Sequence, residues 1–199
     1  MNTKRRYESM RRANQAQQTR ADIAQAAHRL FVARGWAATT VRAVAEEAGV
    51  SVPTVYATYG GKTGLAQALV DAAALTADRA RQLEELESAP DPAGQLAAMA
   101  AFDRRLFERA GDVIALVRAA GGDLADLYAN GRRDADEVRR QVFESWPAGT
   151  LRTDVPTAID VYAALCTIDV YTTLTAERGW PPDRVEQWWQ GVLARELLA

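Results

Sequence analysis

Between Thr39 and Lys62 the chain presents side chains suited to contacting a nucleic acid: Arg42, the hydroxyls of Thr54, Tyr56 and Thr58, and the apolar Val52, Pro53 and Ala57. An arginine can pair two donors with O6 and N7 of guanine, and an apolar group can pack on the thymine methyl in the major groove. Arg42 is the candidate for the guanine contact, the alternatives being a phosphate contact or a solvated side chain. Val52, Pro53 and Ala57 have no hydrogen-bonding side chain, so sequence there would be read through thymine methyls, which predicts T-rich positions in the bound DNA. Tyr56 can reach backbone or base.

The rest of the chemical inventory points away from catalysis. His28 is the only histidine and Cys166 the only cysteine, so a Ser-His-Asp or Cys-His arrangement would have to use His28. That residue sits beside Arg29 in a helix already explained by packing, and it reads as a partly exposed helix residue. Cys166, among Leu165, Ile168 and Val170, reads as a small buried hydrophobe, with a redox sensor as the alternative. One cysteine excludes an internal disulfide and a cysteine-based zinc site, and suits a reducing compartment. There is no phosphate-cradling glycine loop and no metal-ligand spacing. No enzyme, cofactor or metal is expected.

The contact residues need a scaffold, and the punctuation around them supplies one. Thr39 or Thr40 can cap a first helix by accepting a hydrogen bond from a backbone N–H within its first turn. Val41, Val44, Ala45 and Ala48 follow at helical spacing. Gly49 stands where the chain needs positive φ, and Val50 can close the turn onto the helix. Ser51 caps a second helix, Pro53 falls in its first turn where a missing N–H costs nothing, and the helix runs to about Tyr59. Val55 is its inward residue, packing on Val44 and Ala48. This is a helix-turn-helix, a geometry that also occurs in proteins that never touch nucleic acid.

Charge strengthens the nucleic-acid reading. Residues 1–65 carry ten basic side chains against four acidic, a net of +6, so the remainder must carry −8 within a total of −2. A basic end and an acidic end are expected if one meets phosphate and the other avoids it.

Around the motif, Ile23, Ala26, Ala27, Leu30 and Phe31 mark a supporting helix. Residues 1–18 form a basic, Gln-rich tail whose Lys4, Arg5, Arg6, Arg11 and Arg12 either enter a minor groove or stay solvated. Lys62 opens a long helix to about Glu87. Pro90-Asp91-Pro92 breaks the chain before a helix over about 93–109, a short one from Gly111-Asp112 to Gly121-Gly122, and a charged one over about 123–146. After Pro147, Gly149 and Pro156 come helices over about 157–178 and 182–198. No strand-like alternation is bounded by turns, so the fold is expected to be all-α. The expected domains are the tail 1–18, a helix-turn-helix domain 19–65 and a helical domain 66–199.

At 199 residues and 48% apolar content the chain can bury one compact core or two smaller ones. No run of about eighteen apolar residues is present, and the N-terminal segment lacks the apolar stretch of a signal peptide, so a cytoplasmic protein without membrane contact is expected.

Residues 19–69 resemble the N-terminal domain of TetR-type transcriptional regulators. The resemblance rests on Arg20-x-x-Ile23-x-x-Ala26-Ala27-x-x-Leu30-Phe31, Gly35, Thr39-Thr40-Val41, Ala48-Gly49-Val50-Ser51, Thr54-x-Tyr56 and Lys62-x-x-Leu65. Gly149 to Asp154 and Arg178-Gly179-Trp180-Pro181 are similar to the surroundings of the last two helices of many TetR-type ligand domains, whereas residues 88–148 carry no family motif. The chain departs from the family at Thr58 and Tyr59, where His or Tyr followed by Phe is more usual. Gly60, Gly61 and Gly64 should soften the start of the next helix, since an interior glycine costs about 1 kcal/mol relative to alanine.

The resemblance implies that Thr40, Thr54, Tyr59 and Lys62 hold phosphates, Lys62 aided by the helix N-terminus it occupies. It also implies a helical ligand-binding and dimerisation domain, with the chain acting as a repressor that a small-molecule effector, unnamed by the sequence, releases from its operator. In a homodimer two reading helices about 34–36 Å apart would require a palindromic double-stranded operator. The 157–178 helix is apolar on two sides, and Val161, Leu165 and Ile168 with Trp188, Trp189 and Val192 are candidates for the dimer interface. The alternative is that both faces are buried within one chain. Met99, Phe102, Leu106, Val117, Tyr128, Trp146, Tyr162 and Tyr171 are candidate linings of an effector pocket, or simply core. Asp160 and Asp169 either meet a cationic ligand or are solvated or paired with arginine, the second being favoured. The competing function is an all-α ligand-binding or interaction protein whose helix-turn-helix no longer selects a sequence.

Overall fold

The computed structural model describes residues 3–76 and 79–199, and the side chains of 10–73 and 80–199. Its helices begin where side chains can satisfy free backbone donors. The first, α1 (Thr3–Ala38), contains Gly35 at φ +76, where the regular helix breaks. Thr39 is buried there and donates its hydroxyl to the carbonyls of Leu30 and Gly35 at 3.1 and 2.9 Å, tying down the broken end. Residues 3–18, read from the sequence as a tail, continue this helix. The side chains of Lys4, Arg5 and Arg6 lie outside the described residues; Arg11 and Arg12 are exposed.

Thr40 caps α2 (Val41–Glu47) by accepting from the Ala43 N–H at 3.1 Å, and Gly49 turns the chain at φ +66. Ser51 caps α3 (Val52–Tyr59) through the Thr54 N–H at 3.2 Å, with Pro53 in the first turn. Val55 is fully buried in a core with Ile23, Phe31, Val44 and Leu65, the last from α4 (Lys62–Thr76). Burial of one such side chain contributes roughly 1.5–3 kcal/mol. Gly64 does more than soften the start of α4: a Cβ there would overlap the carbonyl oxygen of Tyr59. Only a hydrogen atom lets α3 and α4 approach this closely.

The expected single helix over 62–87 consists of α4 and α5 (Arg79–Ser88), with residues 77–78 between them outside the described residues. Asp91 then caps α6 (Pro92–Ala120) through the Gly94 N–H at 2.8 Å. The two helices expected over this stretch are one. Gly111 does not break it, because Gly111 is not among the positive-φ glycines; instead it makes room for Ile168, whose Cδ1 would lie 3.0 Å from a Cβ at that position.

A 3-10 turn, Gly121–Leu124, leads into α7 (Ala125–Glu144). The helix expected over 157–178 is also corrected. It comprises α8 (Val155–Leu165), a break at Cys166 with φ −95 and ψ 71, α9 (Ile168–Thr172) capped by Thr167, and a π-helical turn, Thr173–Glu177. The chain ends in α10 (Pro182–Leu197), and the 150–152 segment returns to its end through Arg152 N–H to the Leu197 carbonyl at 2.9 Å. No strand occurs among the described residues; the fold is all-α.

Two cores result. Around Ile23, Phe31, Val44, Val55 and Leu65 the first also takes in Val113, Leu116, Val117 and Leu124. The second gathers Leu96, Met99, Phe143, Ile159, Tyr162, Tyr171, Trp189 and Leu193. Helix α6 contributes its C-terminal half to one and its N-terminal half to the other, so it spans the molecule as a shared beam.

Candidate functional site

The helix-turn-helix leaves Thr40, Arg42, Pro53, Tyr56 and Ala57 exposed, with Val52, Thr54 and Thr58 half-buried beside them. Thr54 shares a hydrogen bond with Ser51 at 2.8 Å, and Thr58 donates to the Thr54 carbonyl at 2.7 Å, so the Thr58 hydroxyl is directed back into its own helix. Arg42 reaches Glu46 at 3.2 Å on a highly exposed surface, a contact of small net energy that a stronger anion can displace.

Tyr59 and Lys62 are placed differently from the other expected contact residues. The Tyr59 hydroxyl donates to the Arg20 carbonyl at 2.8 Å, while the Arg20 guanidinium lies 4.8 Å from the ring centre. Burial pushes the Tyr59 hydroxyl pKa up, with Arg20 opposing. The Lys62 ammonium donates to the Trp36 carbonyl and sits 4.2 Å from the Trp36 ring centre. Burial lowers its pKa, offset in part by Asp123. Both side chains are therefore held against α1 in this arrangement.

Trp36 connects that reading head to the rest of the chain. Its ring stacks on Phe31 at 5.3 Å, and its indole N–H donates to Asp123 at 2.8 Å, in the 3-10 turn beyond α6. A second link joins His28 of α1 to Asp112 of α6 at 2.7 Å. The sequence reading of His28 as a partly exposed helix residue missed this partner, because the two are far apart in the chain.

Beside α6 lies a cavity of about 470 Å³. Of the residues expected to line a pocket, Met99, Phe102, Leu106, Val117, Tyr128 and Tyr162 border it. Trp146 and Tyr171 do not. Trp146 donates its indole N–H to Gln95 and edges a separate shallow groove, and Tyr171 is packed between Phe107 and Trp189 at 5.8 and 6.2 Å.

Sequence reasoning missed the polar pole of this cavity. Asp103 and Arg139, both buried, approach to 3.6 Å, and Tyr162 donates its hydroxyl to Asp103 at 3.0 Å. The Arg139 guanidinium stands 4.6 Å from the Tyr162 ring centre and donates to Asp136 at 2.7 Å. Burial pushes the Asp103 carboxyl up, with Arg139 pulling against it, and drives the Tyr162 hydroxyl and the Cys166 thiol well above their ordinary ranges. Cys166 is thus a buried neutral thiol at the cavity wall, unsuited to thiolate chemistry. The only early signal was polar residues at inward helical positions.

The residues expected at a dimer interface separate into two sets. Trp189 and Ile168 belong to the second core, with Trp189 at 0% exposure and its indole N–H donating to the Leu165 carbonyl at 3.0 Å. Packing within the chain already covers them, and Val192 is nearly as buried. Val161 and Leu165 are half-buried, and Trp188 remains 37% exposed. Asp160 is exposed, and Asp169 pairs with Arg118. Among the described residues no helix is long and apolar enough to cross a membrane, and no cluster of potential metal ligands occurs.

The fold is thus a capped helix-turn-helix packed on one long helix that also borders the cavity. Residues 23–69 match the family of bacterial regulatory proteins described as the tetR family. The chain is 42% identical over 84 residues to the HTH-type transcriptional regulator TtgR of Pseudomonas putida, a match covering 42% of this chain and 40% of that protein. In structure it is similar to NalD, the secondary repressor of the MexAB-OprM multidrug efflux pump in Pseudomonas aeruginosa. That likeness has a TM-score of 0.73 at 20% identity over 93% of this chain and 98% of the other. A tetR-family regulatory protein from Rhodococcus aligns with a TM-score of 0.69 at 21% identity, over 91% and 98% of the two chains. Residues 23–69 thus carry the N-terminal domain of the tetR family, and the chain as a whole shares its fold with a solved tetR-family protein.

Proposed function

We propose that the chain is a homodimeric repressor that holds a palindromic operator and leaves it when a small molecule occupies the cavity beside α6. The observation that carries this reading is that Val113 and Val117 belong to the core of the reading head and also line the cavity. A molecule that displaces this wall of α6 must move the support of α1, either directly or through the links Trp36–Asp123 and His28–Asp112. The working division is a reading head over 19–65 and a ligand-binding and dimerisation domain over 66–199.

On the DNA, Thr40 and Thr54 would hold phosphates, Arg42 would read guanine, and Val52, Pro53 and Ala57 would favour thymine. Tyr59 and Lys62 would first exchange their α1 partners for phosphate. Release requires the ligand to prefer the DNA-incompetent arrangement; a hundredfold fall in operator affinity needs about 2.8 kcal/mol of that preference.

The test is a fluorescence-anisotropy titration of the full chain against the DNA upstream of its own coding region, at two salt concentrations, with binding-site selection in parallel. Specific binding that survives competitor DNA, with paired thymine-rich half-sites, is expected. Binding equal to that of random DNA would leave the reading of an all-α ligand-binding protein in its place.

A further inference from the structure

We propose that the cavity recognises an organic cation with an aromatic or aliphatic body, and that Asp103 is the group that reads the charge. The inference rests on the reading of this cavity as the effector site.

Asp103 is only 7% exposed. One carboxylate oxygen accepts from Tyr162, with Arg139 at 3.6 Å, beyond hydrogen-bonding distance; the other accepts no hydrogen bond from the described residues. Arg139 is not fully committed to Asp103, because its short contact is to Asp136 at 2.7 Å. Two carboxylates thus share one guanidinium, leaving the pole with an excess negative charge. The remaining charged residues on the wall, Asp71, Asp134 and Arg132, add a further net negative charge.

A buried carboxylate with incomplete compensation gains most from a cation. The aromatic groups Phe102, Phe107, Tyr128 and Tyr162 border the same space and can bury an apolar body, and the Tyr162 ring already holds one cation, the Arg139 guanidinium, at 4.6 Å from its centre. An anion would have to compete with Asp103 and Asp136 for Arg139, and the Tyr162 hydroxyl is already donated.

The test uses three ligands with one phenylbutyl body: 4-phenylbutyltrimethylammonium, 4-phenylbutanol and 4-phenylbutyrate. Calorimetric titration of the full chain should give an affinity for the cation at least tenfold above that for either analogue. Asp103→Asn, which keeps the shape and can still accept from Tyr162, should reduce that preference to below threefold while leaving the alcohol unchanged. Leu106→Trp, which fills the cavity, should weaken all three.

Equal or tighter binding of the carboxylate, a cation preference that survives Asp103→Asn in a variant whose helical circular dichroism matches the parent, cation binding that Leu106→Trp leaves unchanged in such a variant, or no measurable cation binding overturns the inference. Cation binding that Asp103→Asn abolishes, without any effect on operator affinity, upholds the inference and removes instead the proposal of ligand-driven release.

Discussion

A methyl group on Gly64 would overlap the Tyr59 carbonyl oxygen, so Gly64→Ala must push the end of α3 away from α4. Overpacking of this kind costs about 1–3 kcal/mol, and for a chain of this size each kcal/mol lowers Tm by roughly 2–4 °C. Because the strain falls at the end of the recognition helix, operator affinity should drop at least tenfold in Gly64→Ala, more than the melting shift alone would imply. Anisotropy and thermal melts on the same preparation check this; unchanged operator affinity would mean that α3 tolerates the displacement. The sequence exposed the flexibility of this glycine but not the contact, since the obstructing oxygen belongs to the backbone. Trp36 poses a separate test of the link between domains. Trp36→Phe retains a ring for Phe31 and Lys62 but removes the donor to Asp123 together with one ring of the buried indole. Stability should fall by about 1–3 kcal/mol, operator affinity without ligand should stay within about threefold, and the drop in operator affinity caused by a bound ligand should shrink severalfold. A full ligand response in this variant would show that the signal travels along α6 without this hydrogen bond.

Among the elements, α2 and α3 were legible because every device that defines them is local: Thr40, Gly49, Ser51 and Pro53 act within a few residues. The α6 and α8–α9 elements were misread because their determinants are tertiary. Gly111 looks like a stop until Ile168 is seen packed against it, and the break at Cys166 has no glycine or proline to announce it, only Thr167 ready to cap a new helix. That break brings Cys166, Thr167 and Ile168 to the cavity wall, beside a polar pole whose Asp103, Arg139 and Tyr162 stand on three different helices. The α5–α6 pair offers a pH test. Arg105 is 6% exposed and donates to Glu85 at 2.6 Å. Burial raises the Glu85 carboxyl pKa, but hydrogen bonds and charge from Arg105 and Arg81 outweigh it and hold the group below the usual range. A depressed folded-state pKa gives stability that is present above the unfolded-state value, about 4.3, and is lost as pH falls through the folded-state value. Glu85→Ala should therefore cost about 3 kcal/mol near neutrality by leaving Arg105 buried without this partner. The part of the deficit owed to the Glu85 charge should shrink in denaturant titrations below about pH 4. A deficit that stays constant with pH would assign it to lost packing.

For the molecule as a whole, the charge partition between basic N-terminal and acidic C-terminal parts was visible in composition, whereas the choice of exposed apolar face was not, because Trp188 and Trp189 have the same chemistry and adjacent positions. Folding distinguishes them: Trp189 is enclosed, and Trp188 stays 37% exposed, edge-on to Trp180 at 6.3 Å, with Arg184 over the Trp180 ring at 3.9 Å. If the proposed dimer forms through α8 and α10, Val161, Leu165 and Trp188 are the apolar groups available to it. Charge placed there should separate the subunits without disturbing either core. Val161→Arg combined with Trp188→Arg is expected to sediment as a monomer at micromolar concentration while retaining helical circular dichroism. Two heads on one palindrome bind as a linked pair, and the second contributes through effective concentration, so splitting the dimer should weaken operator binding by at least a hundredfold. A variant that remains dimeric would move the interface to another surface, and a parent chain that sediments as a monomer would remove the dimer and with it the palindromic operator.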